Sequence, residues 1–152
     1  MDLRGRRWLV MSVVVGLALV AASCGDDDDG TADGGTAADN TVSATLADYS
    51  ITLDSSSAPA GDLTFEVTND AGQVHEFVVL KTDLAQDALP TDDAGDVDEA
   101  GDPGIELVDE IEDIEGGATP TLSVTLDPGS YVLICNLPGH YALGMHAGFS
   151  VE

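Results

Sequence analysis

Four side chains stand out for the chemistry they could do together: His75, Cys135, His140 and Met145. Three of them lie in the stretch Cys135-Asn136-Leu137-Pro138-Gly139-His140-Tyr141-Ala142-Leu143-Gly144-Met145, a C-x4-H-x4-M spacing. Thiolate and thioether are soft donors and imidazole is borderline, so the set suits copper in both of its oxidation states. Two histidines and a cysteine in a trigonal arrangement, with a weak axial methionine, make a blue-copper centre. One geometry then serves both states, and little has to move when an electron arrives. Singly, each residue has a plainer reading. A histidine at a strand start is ordinarily surface or satisfied core, Cys135 a small buried hydrophobe, and Met145 packing. Together and in this order they point to a metal site. His146 stands next to Met145 and could replace it, but adjacent residues point apart, and it is assigned to the surface. Tyr131 and Tyr141 are assigned to packing.

Strands must position this set. Cys135 ends an apolar run from Ser130 that puts Tyr131, Leu133 and Cys135 on one face. A turn at Leu137-Pro138-Gly139 brings His140 back, and Gly144 lets the chain fold again to offer Met145. His75 opens the apolar run ending at Leu80, on the side of Phe77 and Val79. Elsewhere period-two alternation dominates: Val42, Ala44 and Leu46; Ile51 and Leu53; Leu63, Phe65 and Val67; Leu122, Val124 and Leu126; Phe149 and Val151. Asp127-Pro128-Gly129 is a tight-turn sequence. Six to eight short strands of this kind indicate an all-β, antiparallel β-sandwich.

The segment from Lys81 to Gly117 breaks the pattern and is crowded with carboxylates. Up to Asp102 it reads as an exposed loop. Beyond it a short helix is expected, with Asp102 as N-cap, Pro103 at the first position, and Ile105, Val108, Ile111 and Ile114 near helical spacing. Gly116-Gly117 would stop it. Glu112, Asp113 and Glu115 oppose the dipole at its end, so packing would have to hold it. Nothing from Asp92 to Asp102 matches the D-x-D-x-D-G calcium loop.

The whole chain of 152 residues carries 29 acidic and four basic side chains, a formal net charge of −25. That excludes nucleic acid as a partner, because binding it requires Lys and Arg to neutralise phosphates. Three of the four basic residues, Arg4, Arg6 and Arg7, precede an apolar run from Trp8 to Ala22. This run falls short of the roughly 20 residues of a spanning helix and suits a signal-peptide core. It ends in Ala21-Ala22-Ser23-Cys24, which resembles a bacterial lipobox with Ala21 in place of the usual leucine. The resemblance implies a signal peptide over 1–23 and a lipid on Cys24. The alternatives are ordinary cleavage, giving a periplasmic or secreted protein, or an uncleaved anchor. Residues 24–40, rich in Asp, Gly, Ala and Thr, read as a self-repelling disordered tether, and the folded domain as 41–152. Cys24 and Cys135 are the two cysteines. With lipid on the first, the second has no partner within the chain, and metal ligation gives a lone exported thiol its reason.

Three segments in order, Asn69-Asp70-Ala71-Gly72-Gln73-Val74-His75, Asp127-Pro128-Gly129-Ser130-Tyr131 and the Cys135–Met145 loop, resemble the cupredoxin family of type 1 copper proteins. In ligand spacing the likeness is nearest to rusticyanins and sulfocyanins, and it extends from Val42 to Glu152. It implies a Greek-key sandwich, one copper ion held equatorially by His75, Cys135 and His140 and axially by Met145, and single-electron carriage between redox proteins. Many members have Asn after the first histidine, where it helps hold the ligand loop; here Glu76 stands in its place. Electron exit is expected through His140 within a collar of Leu137, Pro138, Ala142 and Leu143. The negative field implies a basic redox partner. The chain is expected to be monomeric and to meet a membrane only through its lipid.

A copper-binding protein for delivery or sequestration would use the same ligands. Cys-His nucleophilic catalysis would need an orienting third group and leaves Met145 unexplained. Multicopper oxidase or nitrite reductase chemistry needs more histidines than His75, His140 and His146. No enzyme activity is expected.

Overall fold

The alternating segments form strands because each offers one face to water and one to a shared interior. In the computed structural model, which describes residues 40–99 and 102–152, they are β1 (Thr41–Ala47), β2 (Ser50–Leu53), β3 (Ser57–Ala58), β4 (Gly61–Asn69), β5 (His75–Lys81), β6 (Glu106–Ile114), β7 (Thr121–Leu126), β8 (Gly129–Ile134) and β9 (His146–Val151). The expected leader, Cys24 and all of the tether but Asn40 lie outside the described residues.

Two sheets result, a four-stranded one in the order β2-β1-β4-β7 and a five-stranded one in the order β3-β9-β8-β5-β6. The sandwich is all-β as expected, but its sheets are mixed rather than purely antiparallel. β1 pairs in parallel with β4, and β3 with β9. The chain crosses to the other sheet at β3 before returning as β4, so β4 runs alongside β1 in the same direction. Between the sheets lies the main core, where Phe65 packs its ring against Phe77 and Phe149 at centroid distances of 5.3 and 5.4 Å. Burying each such ring stabilises the fold by roughly 1.5–3 kcal/mol.

The helix expected after Asp102 does not form. That segment is β6, paired antiparallel with β5 at the edge of the five-stranded sheet. The helix-like spacing has a different cause. His75 and Phe77, two apart on β5, face Ile114 and Ile111, three apart on β6, and adjacent Val79 and Leu80 face Asp109 and Leu107, two apart. Each mismatch is a β-bulge that inserts one extra residue into β6. Asp113, the bulged residue of the first, has φ 52°. The bulges bring Val108, Ile111 and Ile114 onto the core and leave Glu106, Asp109, Glu112 and Asp113 exposed on the edge strand. Asp102 still caps, but caps a turn, its carboxylate accepting from Gly104 N at 2.8 Å.

The described part of the loop before it is mostly exposed, as expected, but not wholly. Leu89, Val97 and Ile105 are buried with Tyr141 against Val78, Leu80, Val132 and Ile134. This second, smaller core lies on the outer face of the five-stranded sheet.

Candidate metal centre

The approach to His75 is built around Asn69, a fully buried polar residue ending β4. Its amide donates to Gln73 O and Ile114 O, at 2.9 and 2.8 Å, and its carbonyl accepts from Ala71 N. The bonds to Ala71 and Gln73 shape the turn that delivers His75 to the core, and the bond to Ile114 ties that turn to β6. Gly116 lets the β6–β7 connection pass over this turn, since a Cβ there would come within 2.6 Å of Ala71 O.

Cys135 follows β8, and the loop after it braces itself. His140 N donates to Leu137 O, Leu143 N to Gly139 O, Met145 N to His140 O, and Cys135 N to Met145 O. Gly144, at φ 116°, makes the second bend, where a side chain would crowd Tyr49 O. The turn at 137–139 and the bend at Gly144 lie where the spacing places them.

Three of the four expected donors come together, two from this loop and His75 from the start of β5. Cys135 Sγ lies 3.3 Å from His140 Nδ1 and 3.7 Å from His75 Nδ1, and the two imidazole nitrogens are 3.3 Å apart. The point equidistant from these three atoms is about 2 Å from each, which matches the ~2.0–2.1 Å of a metal–imidazole bond. His75 and Cys135 are fully buried and His140 is half-buried. Met145 is fully buried in the same core as Cys135. His146 stays outside the donor group. It is half-buried rather than at the surface, with its ring against Tyr141 and its Nδ1 without a hydrogen-bond partner.

Burial disfavours the charged forms of Cys135 and His140. Burial pushes the Cys135 thiol up, and the N–H groups of Glu76 and Leu137 only partly oppose it. Burial, then the neighbouring His75, holds His140 down. Glu76 N donates to Cys135 Sγ at 3.5 Å. The Glu76 carboxyl is pushed up to about 7 by burial, with Asn136 N–H opposing and Glu99, Glu110 and Glu112 adding to the rise.

Several participants were not legible as site residues. Asp48, in the β1–β2 turn, accepts from His75 Nε2 at 3.1 Å and from Gln73 Nε2 at 2.6 Å on the same oxygen. Tyr49 packs edge-on against His140, centroids 5.1 Å apart. Support for the ligand loop comes from the acidic insertion. Asn136 exchanges two hydrogen bonds with the Val97 backbone and donates to Glu99, while Asp96 accepts from Gly139 N at 2.9 Å. Tyr141 is more than packing: its hydroxyl donates to Gln86 O and accepts from Leu89 N. Only Asn136 carried a signal, through its place beside Cys135.

No family model matches the sequence, and no curated protein does. Solved structures do match. A dithionite-reduced auracyanin from Roseiflexus castenholzii has a TM-score of 0.53 at 22% identity, over 74% of this chain and 97% of that one. Auracyanin B has a TM-score of 0.50 at 21% identity, over 74% and 88%. A reduced rusticyanin solved by NMR has 0.52 at 18%, over 74% and 77%. By the architecture of its two sheets, the chain has the cupredoxin fold.

Proposed function

We propose that this chain is an exported type 1 copper protein, not an enzyme, that carries single electrons between redox proteins. The observation that carries this reading is the convergence of Cys135 Sγ and the Nδ1 atoms of His75 and His140, all within 4.8 Å of one another. His75, Cys135 and His140 hold the ion and Met145 supplies the weak fourth donor; the copper supplies the one-electron chemistry. The chain's own contribution is rigidity and exclusion of water. A buried histidine opening β5 and a buried cysteine just past the end of the adjacent β8, with a self-braced loop, resist the rearrangement that a change of oxidation state would otherwise demand. The auracyanin from Roseiflexus and the rusticyanin are both described in reduced forms, which fits a redox role.

Half-exposed His140 is the route for the electron, with Tyr49 beside it and Leu143, 60% exposed, on the rim. The partner is a basic redox protein, drawn by the chain's negative charge. A lipid on Cys24 holds the monomeric protein at the outer face of a bacterial cytoplasmic membrane. Delivery of copper to an acceptor is less well supported, since His75 and Cys135, two of the three clustered donors, are fully buried.

The test is an absorption spectrum of the full chain, purified in detergent and loaded with Cu(II). An intense visible thiolate-to-copper band that Cys135→Ala abolishes is the expected result; a colourless, redox-silent protein would remove the reading.

A further inference from the structure

Among the groups around the donor triad, Asp48 is the one whose placement has a chemical consequence beyond packing. His75 is fully buried and has two ring nitrogens. Nε2 meets Asp48 Oδ1 at 3.1 Å, while Nδ1 meets Cys135 Sγ and His140 Nδ1. A carboxylate only accepts hydrogen bonds, so in the neutral ring Nε2 is the nitrogen that carries the proton and Nδ1 is left with its lone pair. That lone pair points to the spot where the sulfur and the other imidazole gather. Asp48 is itself held in place, because Gln73 Nε2 donates to the same oxygen at 2.6 Å. It also belongs to the other sheet, in the turn where Ala47 pairs with Ser50. The contact therefore ties the four-stranded sheet to a donor carried by the five-stranded one.

We propose that Asp48 is a positioning residue of the metal centre, fixing the tautomer and ring orientation of His75 and, through its charge, favouring the oxidised ion over the reduced one. The second half rests on the copper reading above; the first does not. A carboxylate accepting the remote N–H of a metal-bound imidazole makes that imidazole a more basic ligand. A stronger donor favours the ion of higher charge, so the oxidised state gains more than the reduced state.

Two variants separate orientation from charge. In Asp48→Asn the amide oxygen still accepts from His75 and Gln73, so the tautomer is kept and only the charge is lost. In Asp48→Ala both are lost. Asp127→Asn, in the turn at the far end of β8 from Cys135, serves as a control for the change in net charge. Imidazole nitrogen chemical shifts in the metal-free full chain read the tautomer directly. The expected result is a single Nε2–H form of His75 in the unaltered protein and in Asp48→Asn, with the preference lost in Asp48→Ala. An Nδ1–H form in the unaltered protein, or an unchanged preference in Asp48→Ala, would overturn the positioning role.

With copper bound, Asp48→Asn is expected to lower the preference for Cu(II) over Cu(I) about tenfold, a rise in potential of about 59 mV. Asp127→Asn should move it far less. Equal shifts in the two variants would overturn the electrostatic half. Should the unaltered chain fail to form the blue centre, the copper reading falls, and the metal-free measurement still decides whether Asp48 sets the tautomer.

Discussion

The two sheets of the sandwich are covered differently. The four-stranded sheet buries one face, and its strands alternate cleanly, as β7 does with Leu122, Val124 and Leu126 inward and Thr121, Ser123 and Thr125 outward. Its outer face is wet and dressed with hydroxyls, such as the Thr64–Ser123 and Thr68–Thr119 pairs. The five-stranded sheet is buried on both faces at its centre. Val78 and Leu80 of β5, with Val132 and Ile134 of β8, are at most 2% exposed although they point away from the main core. The acidic insertion covers them. All four proposed ligands belong to this doubly covered sheet or to the loop between its strands β8 and β9. An insertion that looks like surface decoration by charge thus makes a second core against the strands and loop that carry the donors.

That contrast can be broken most directly by emptying the outer face of each sheet. Leu80→Ala in the metal-free protein should lose about 2–5 kcal/mol of stability, as deep truncations do. Ser123→Ala, on the outer face of the other sheet, should stay within about 0.5 kcal/mol. Urea unfolding measures both, and similar losses would mean that the second core is not one.

A smaller effect is expected from Tyr141→Phe. Removing the hydroxyl leaves Gln86 O and the buried Leu89 N without their partner, a cost of about 1–3 kcal/mol. Hydrogen exchange should show the Leu89 amide opening faster while amides of β4 and β7 keep their protection; uniform loosening would deny the insertion a separate role.

Below the loss in Tyr141→Phe stands that in Asp96→Ala, at about 1 kcal/mol, because its bond to Gly139 N is only partly buried. Loss of copper to a chelator should accelerate severalfold if the insertion steadies the ligand loop, and remain unchanged if the loop stands on its own hydrogen bonds.

Much of this architecture could be read from the residues. β1, β4, β7 and the run into Cys135 declare themselves because a strand with one wet and one dry face must alternate. The convergence of His75, Cys135 and His140 was legible because soft and borderline donors at those spacings have few other uses. β6 was misread for a definite reason. Two bulges stretch its apolar spacing from two residues to three, and Ile111 and Ile114 then imitate a helix. The supports of the site were hidden for another reason. Asp48 meets His75 across 27 positions and Asn136 meets Val97 across 39, and no local pattern encodes which turns will meet when two sheets close. Glu76 illustrates the cost of reading from resemblance alone. It removes the expected brace, and the structure supplies another from the insertion.

The row of carboxylates on β6 has a consequence for how molecules of this protein meet one another. An outermost strand presents unpaired N–H and C=O groups that another chain's strand can join, the first step toward fibrils. Here the bulges throw those groups out of register, and like charge drives a second copy away before the backbones touch. Burial and the neighbours Glu99, Glu112 and Asp109 hold Glu110 above the ordinary carboxylate range. As the medium turns acidic, this guard therefore gives up its charge sooner than an ordinary carboxylate would.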